Sequence, residues 1–151
     1  MIVSLPKLKR IVVKLKKQKK KIVFTNGCFD IIHAGHIKVL RKAKSLGNIL
    51  IVGLNTDFSV RRLKGENRPV NNQKERAIVL DSLKFVDYVV LFNEDTPIKV
   101  IQQLNPDILV KGGDYKIKDI VGYGIVPKIV RVSLLKGRST TSLLEKIKKL
   151  G

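Results

Sequence analysis

The chain has 151 residues, a size suited to one domain around one core, and its 44% hydrophobic content excludes a disordered polymer. A formal charge of +19 favours anionic ligands or surfaces, while the single cysteine, Cys28, excludes an internal disulfide and a cysteine-based metal cluster and fits a reducing compartment. No apolar run approaches the roughly 20 residues of a membrane-spanning helix, and lysines interrupt the N-terminus too often for a signal-peptide core, so the chain reads as cytoplasmic.

Residues 5–20 place Leu5, Leu8, Ile11, Val12 and Leu15 at helical spacing, with Pro6 in the first turn. The other face is Lys and Arg, and no acidic residue precedes Asp30. Residues 1–20 are therefore expected to form a basic amphipathic helix packed on the domain by its apolar stripe; a helix that touches membrane or nucleic acid is the alternative. "KIVFTN" (21–26) follows as a continuous apolar run, the pattern of a parallel strand buried on both faces. The spacing then predicts a helix from Gly35 to Leu46, with Val39, Leu40, Ala43 and Leu46 on one side and Gly47 as the stop.

"NILIVGLN" (48–55) is a second buried strand, and a polar stretch from Thr56 to Asn72 reads as a loop. A helix starts near Asn72, a good cap, and carries Ala77, Leu80 and Leu83. "VDYVVLF" is a third strand, "TPIKVIQQL" a short helix, "PDILVKGGDY" a fourth strand ending in glycines and "PKIVRVSLL" a fifth. A helix from Ser139 to Lys149 closes the chain. Strands alternating with helices specify an α/β fold: a single doubly wound parallel five-stranded sheet in a three-layer sandwich, over residues 21–151. Ligands of such sheets bind beyond the carboxyl ends of the strands, here the loops that begin at Asn26, Asn55, Phe92, Lys111 and Leu135.

The first of these loops, "TNGCFDIIHAGH" (25–36), holds both histidines of the chain. A helix N-terminus offers free N–H groups and the positive end of a dipole to an anion, and Gly35 lets a phosphate approach the backbone. A metal site would need further ligands that only Asp or Glu could supply, so no protein-held metal is expected. His33 and His36 read as hydrogen-bond donors to a phosphate. Neither a P-loop nor a G-x-G-x-x-G fingerprint is present. "RRLKG" places Arg61, Arg62 and Lys64 in the polar stretch, and "KGGDY" is glycine-rich. "GRSTTS" (137–142) sets four hydroxyl residues at the start of the last helix, more than N-capping requires and suited to holding phosphate.

H-x-G-H behind the first strand of a doubly wound domain, with a Ser/Thr-rich helix start near the C-terminus, resembles the nucleotidyltransferases of the cytidylyltransferase-like superfamily. The combination of "RRLKG", "RPVN", "KGGDY" and "GRSTTS" resembles, more narrowly, the adenylyltransferases that act on D-glycero-β-D-manno-heptose 1-phosphate, over a span from about Lys9 to Leu150. In many bacteria that domain is the C-terminal half of a bifunctional kinase–adenylyltransferase; no kinase domain precedes it here, which implies the stand-alone form.

The resemblance implies transfer of AMP from ATP to the sugar 1-phosphate by in-line attack. The products are pyrophosphate and ADP-heptose, a precursor for lipopolysaccharide core or other heptose-containing surface glycans. It implies Mg²⁺ with the ATP, a homodimer and no nucleic-acid partner. His33, His36 and Lys64 would be catalytic. Nucleotide contacts would come from Thr25, Asn26, Gly27, Cys28, Phe29, Gly35, Arg76, Lys111, Gly112, Gly113, Asp114, Ser139, Thr140 and Thr141. Asn55, Asp57, Arg61 and Arg62 would meet the sugar phosphate, and Asp30 would be structural or close to metal.

Cytidylyltransferases carry an R-T-E-G-I-S-T-type run; "LLKGRST" puts Leu134 and Lys136 at its arginine and acidic positions, which weakens a CTP reading. The stretch from Gly122 to Gly137 is short for the heptose enzymes, so the helix before the fifth strand is expected to be absent or reduced to a turn. A glycerol-3-phosphate cytidylyltransferase or an FMN adenylyltransferase would use the same frame. A basic nucleic-acid or membrane-binding module would be of a different class, and it gives no reason for two histidines at a strand's end.

Overall fold

The structure is a computed structural model and describes residues 1–133 and 140–150. Its elements are α1 (Leu5–Lys17), β1 (Ile22–Gly27), α2 (Ala34–Lys44), β2 (Ile49–Asn55), α3 (Asp57–Lys64), α4 (Gln73–Asp81), β3 (Tyr88–Phe92), α5 (Ile98–Leu104), β4 (Ile108–Gly112), β5 (Lys128–Val132) and α6 (Thr140–Lys148). All strand pairs are parallel, in the order β3-β2-β1-β4-β5.

The period-2 alternation of each strand divides its apolar residues between two cores. Val23, Leu50, Val52, Leu54, Val89, Ile108 and Val110 face α2 and α4, where Val39, Leu40, Ala43, Ala77 and Leu80 cover them. Ile22, Phe24, Ile51, Val90, Phe92 and Leu109 face the other way, under Leu8 and Val12 of α1 and Val100, Ile101 and Leu104 of α5. Both faces are covered, which is why the strands read as continuous apolar runs. This is the doubly wound sandwich expected from the alternation of elements. Residues 1–3 add a short stretch beside β3: the Val3 N–H donates to Val89 O and the Val89 N–H to Met1 O, each at 3.0 Å.

Two local differences from the sequence-based expectation have physical causes. The helix expected to run to residue 20 ends at Lys17, where Lys19 adopts a positive φ of 58° before the chain turns into β1. The polar stretch from Thr56 to Asn72 is not all loop, because it contains α3. Thr56 caps that helix by accepting from the Ser59 N–H at 3.3 Å, but only Ser59 and Val60 are buried, too few to give a visible apolar period. Between β4 and β5 the chain makes only a 3-10 turn, Ile117–Asp119, ahead of the short stretch that begins at Gly122, so the crossover helix is reduced to a turn as expected.

Candidate active site

The site forms where the sheet changes direction. β1 pairs with β2 along its full length, but with β4 only through Val23 and Phe24. The carboxyl ends of β1 and β4 therefore splay, as expected at a switch point. A cleft of about 600 Å³ opens there, lined by the loop after β1, the N-terminus of α2, the end of β4 and the start of α6. Lys111 Nζ of β4 reaches across to Asn26 Oδ1 of β1 at 3.5 Å.

The loop after β1 makes a tight reversal. Phe29 takes a positive φ of 45°, unusual for an aromatic residue, and its ring lies 5.3 Å from the His36 ring, centroid to centroid. The same ring occupies the space beside Gly27, where an added Cβ would stand 3.1 Å from it.

His33 is the N-cap of α2. Its Nδ1 accepts from the Gly35 N–H at 3.1 Å, and His36 Nδ1 accepts from the His33 N–H at 3.3 Å. Each imidazole thus uses Nδ1 as an acceptor, so the neutral form of each carries its proton on Nε2. The rings sit 3.9 Å apart, and both residues line the cleft. Burial, and next the neighbouring His33, push the His36 pKa down to about 4. At neutral pH His36 is an uncharged Nε2–H donor.

Around this pair stand Lys64, Arg68 and Lys111. Burial pushes the Lys111 ammonium pKa down, helped by the like charge of Lys64, so an entering anion relieves both. Arg68 is held by Asp30, whose carboxylate accepts from Arg68 Nε at 2.7 Å, from the Val70 N–H at 2.9 Å and from the Asn71 N–H at 3.0 Å. Burial alone would raise the Asp30 pKa; the backbone N–H groups of Asn71 and Val70, with Arg68, outweigh it and hold the carboxyl below its ordinary range. Burial raises the Cys28 thiol pKa against the pull of Lys64 and its neighbours, so Cys28 lines the cleft as a thiol rather than a nucleophile.

Fifteen of the residues singled out in the sequence line this cleft: Thr25, Asn26, Gly27, Cys28, Phe29, Asp30, His33, Gly35, His36, Asn55, Lys64, Lys111, Gly112, Thr140 and Thr141. Ser139 lies outside the described residues. Six others are placed elsewhere. Arg76, expected at the nucleotide, is 1% exposed and donates to Cys28 O at 2.5 Å, to Asp57 Oδ1 at 2.7 Å and to Asn71 O at 3.0 Å. Asp57 thus pairs with Arg76 and lies outside the cleft lining. Arg61 stacks 5.4 Å from the Phe58 ring, and Arg62 pairs with Asp95 at 2.8 Å. Gly113 has a φ of 127° and is covered by the Tyr115 ring, so it serves the turn after β4, and the exposed Asp114 stands outside the lining. Conversely, Arg68, Tyr115 and the Asp95–Thr96–Pro97 segment line the cleft without having been named as candidates; Arg68 stands in "RPVN" and Tyr115 in "KGGDY", while residues 95–97 carried no signal of their own.

A doubly wound sheet whose switch-point cleft joins a helix N-terminus, two imidazole donors and a set of cations defines a nucleotidyltransferase domain. Residues 24–141 match the family Cytidylyltransferase-like, and the chain belongs to it. Its relatives include the bifunctional protein HldE of Campylobacter concisus, 57% identical over 133 residues, which are 88% of this chain and 28% of that protein. HldE of Wolinella succinogenes is 53% identical over 146 residues, 97% of this chain and 31% of that protein. The chain thus spans less than a third of the length of these curated relatives. Among solved structures, the lipopolysaccharide core biosynthesis protein from Thermoplasma volcanium superposes with a TM-score of 0.65 at 34% identity, over 78% of this chain and 99% of that one. Pantoate–β-alanine ligase from Francisella tularensis shares the fold, with a TM-score of 0.68 at 22% identity, over 97% of this chain and 72% of the other.

Proposed function

We propose that this chain transfers AMP from ATP to D-glycero-β-D-manno-heptose 1-phosphate in the cytoplasm, releasing pyrophosphate and ADP-heptose. The observation that carries this reading is the His33–His36 pair, two Nε2–H donors fixed by their Nδ1 bonds at the start of α2 and facing a cation-lined cleft. The HldE relatives and the lipopolysaccharide-core structure support the sugar.

A sugar phosphate oxygen is already an anion, so it needs no general base. Attack on the α-phosphorus then depends on positioning and on stabilising charge. His33 and His36 would donate to the α-phosphate oxygens as that charge grows. Lys64 and Lys111 would hold the rest of the triphosphate, with the Thr140 and Thr141 hydroxyls at the start of α6. Arg68, pinned by Asp30, would add a guanidinium fork to the same anion. Arg76 would act one layer back, tying the loop after β1 to α3.

Mg²⁺ would arrive with ATP and lower the charge of the pyrophosphate leaving group. Asp30 does not suit it as a ligand, because both carboxylate oxygens already accept from Arg68, Val70 and Asn71. No group of three or more His, Cys, Asp or Glu side chains arranged for a metal occurs among the described residues. The ion would be carried by phosphate and water oxygens.

Pyrophosphate release tests the reading, with ATP or CTP offered against heptose 1-phosphate, glycerol 3-phosphate and FMN. Turnover is expected with ATP and the heptose phosphate. His36→Ala is expected to lower kcat about 10²- to 10³-fold, the usual cost of one oxyanion donor. No turnover with ATP and any sugar 1-phosphate refutes the proposal.

A further inference from the structure

We propose that the outward face of α1 is a docking surface for anionic phospholipid membranes. Residues 1–29 hold nine Lys or Arg side chains and no Asp or Glu. Eight of the nine are exposed, and among the described residues none of the nine takes part in an ion pair. The helix is fixed to the body by Leu8 and Val12, which are 0% and 2% exposed, so its basic face cannot roll inward.

In the middle of that face stands Val13, 50% exposed. Lys9, Arg10 and Lys17 lie at i−4, i−3 and i+4 from it, on the same side of the helix. An apolar residue ringed by cations is the pattern of a helix that lies in a lipid headgroup layer, with the apolar side chain sinking and the lysine stems spreading to the phosphates. Lys16, Lys19, Lys20 and Lys21 carry the charge on to a depression of about 260 Å³ beside Asp107, whose carboxylate is already taken by the Ile22 N–H at 2.7 Å.

That depression is at the amino ends of β1 and β4, the pole opposite the catalytic cleft. A docked molecule would keep its cleft open to water. The chemistry favours lipid over nucleic acid. Only Arg10 among these cations offers a bidentate fork, and no aromatic residue before Phe24 is available to stack on a base. Lysine point charges suit a laterally fluid array of phosphates.

The test is co-sedimentation of the full chain with vesicles of phosphatidylcholine alone or mixed with phosphatidylglycerol, at low and high salt. Binding is expected only to the mixed vesicles, and salt should screen it. Each Lys or Arg near such a surface is worth about fivefold, so the K9Q/R10Q/K17Q variant should bind about 100-fold more weakly. Its thermal midpoint and nucleotide binding should stay at the parental values. Val13→Gln should cost about threefold on vesicles. No binding to mixed vesicles at low salt, parental binding by the triple variant, or tighter binding to duplex DNA than to mixed vesicles would each overturn the proposal.

Discussion

Replacing Arg76 by Met removes a guanidinium but keeps a side chain of similar reach in a site that is 1% exposed. Three segments lose a common donor: the loop after β1 through Cys28 O, the first turn of α3 through Asp57 Oδ1, and the strap before α4 through Asn71 O. The largest loss is at Asp57, whose side chain is 20% exposed and keeps a carboxylate without its counter-charge. Breaking such a pair from one side costs about 3–5 kcal/mol, and the partial exposure of Asp57 favours the lower end. In a domain of this size 1 kcal/mol moves Tm by about 2–4 °C, so a fall of about 10 °C is expected. Thermal and urea unfolding followed by circular dichroism would measure it. Asp57→Asn combined with Arg76→Met should cost less than the sum of the two single changes, because each removes the other's reason for loss. Nucleotide titration of the folded variant completes the assay. Parental stability with weakened nucleotide affinity would refute the reasoning and put the guanidinium on the ligand.

Arg76 also marks where the sequence stops being informative. β1 to β4 were legible because both faces of the sheet are covered there, so burial shows as apolar runs; β5, an edge strand with exposed Lys128 and Arg131, showed only through its β-branched Ile129, Val130 and Val132. The cleft was legible in outline because ligands collect at the carboxyl ends of such strands, which brought His33, His36 and Lys111 together before any coordinates. Direction was not legible. A motif gives Arg76 a place on α4, but whether the guanidinium points at the cleft or beneath it depends on Cys28 and Asp57, which are distant in sequence. The Asp30–Arg68 pair spans 38 residues and leaves no periodic trace. In "KGGDY" two adjacent glycines divide their roles: Gly112 lines the cleft, while Gly113 supplies the positive φ of the turn. α3 escaped for a related reason, since a helix that buries only Ser59 and Val60 looks like a polar loop.

Two further outcomes follow from the packing and the pKa of His36. Gly53→Ala should lower Tm by several degrees, because the added Cβ would stand 2.7 Å from Phe24 Cζ in a closed core and such overpacking costs about 1–3 kcal/mol; an unchanged midpoint would show that the Phe24 ring can shift at no cost. His36 has a folded pKa of about 4 against an ordinary 6.5. In the window between those values the unfolded chain takes up a proton that the folded chain refuses, so the stability present above pH 6.5 is lost as pH falls toward 4 and no more is lost from this group below it. The size is about 3 kcal/mol at most, the energy of the whole shift. Urea midpoints of the parent should therefore drop between pH 7 and pH 5 by more than those of His36→Gln, which cannot titrate. Asp30 does not mimic the effect, because its carboxyl is held below the ordinary range and gives up its share of stability only at more acid pH. Equal losses in parent and variant would mean that the imidazole titrates freely. The neutral Nε2–H donor at the centre of the proposed chemistry would then carry a proton on both nitrogens through much of that window, and its Nδ1 could no longer accept from the His33 N–H.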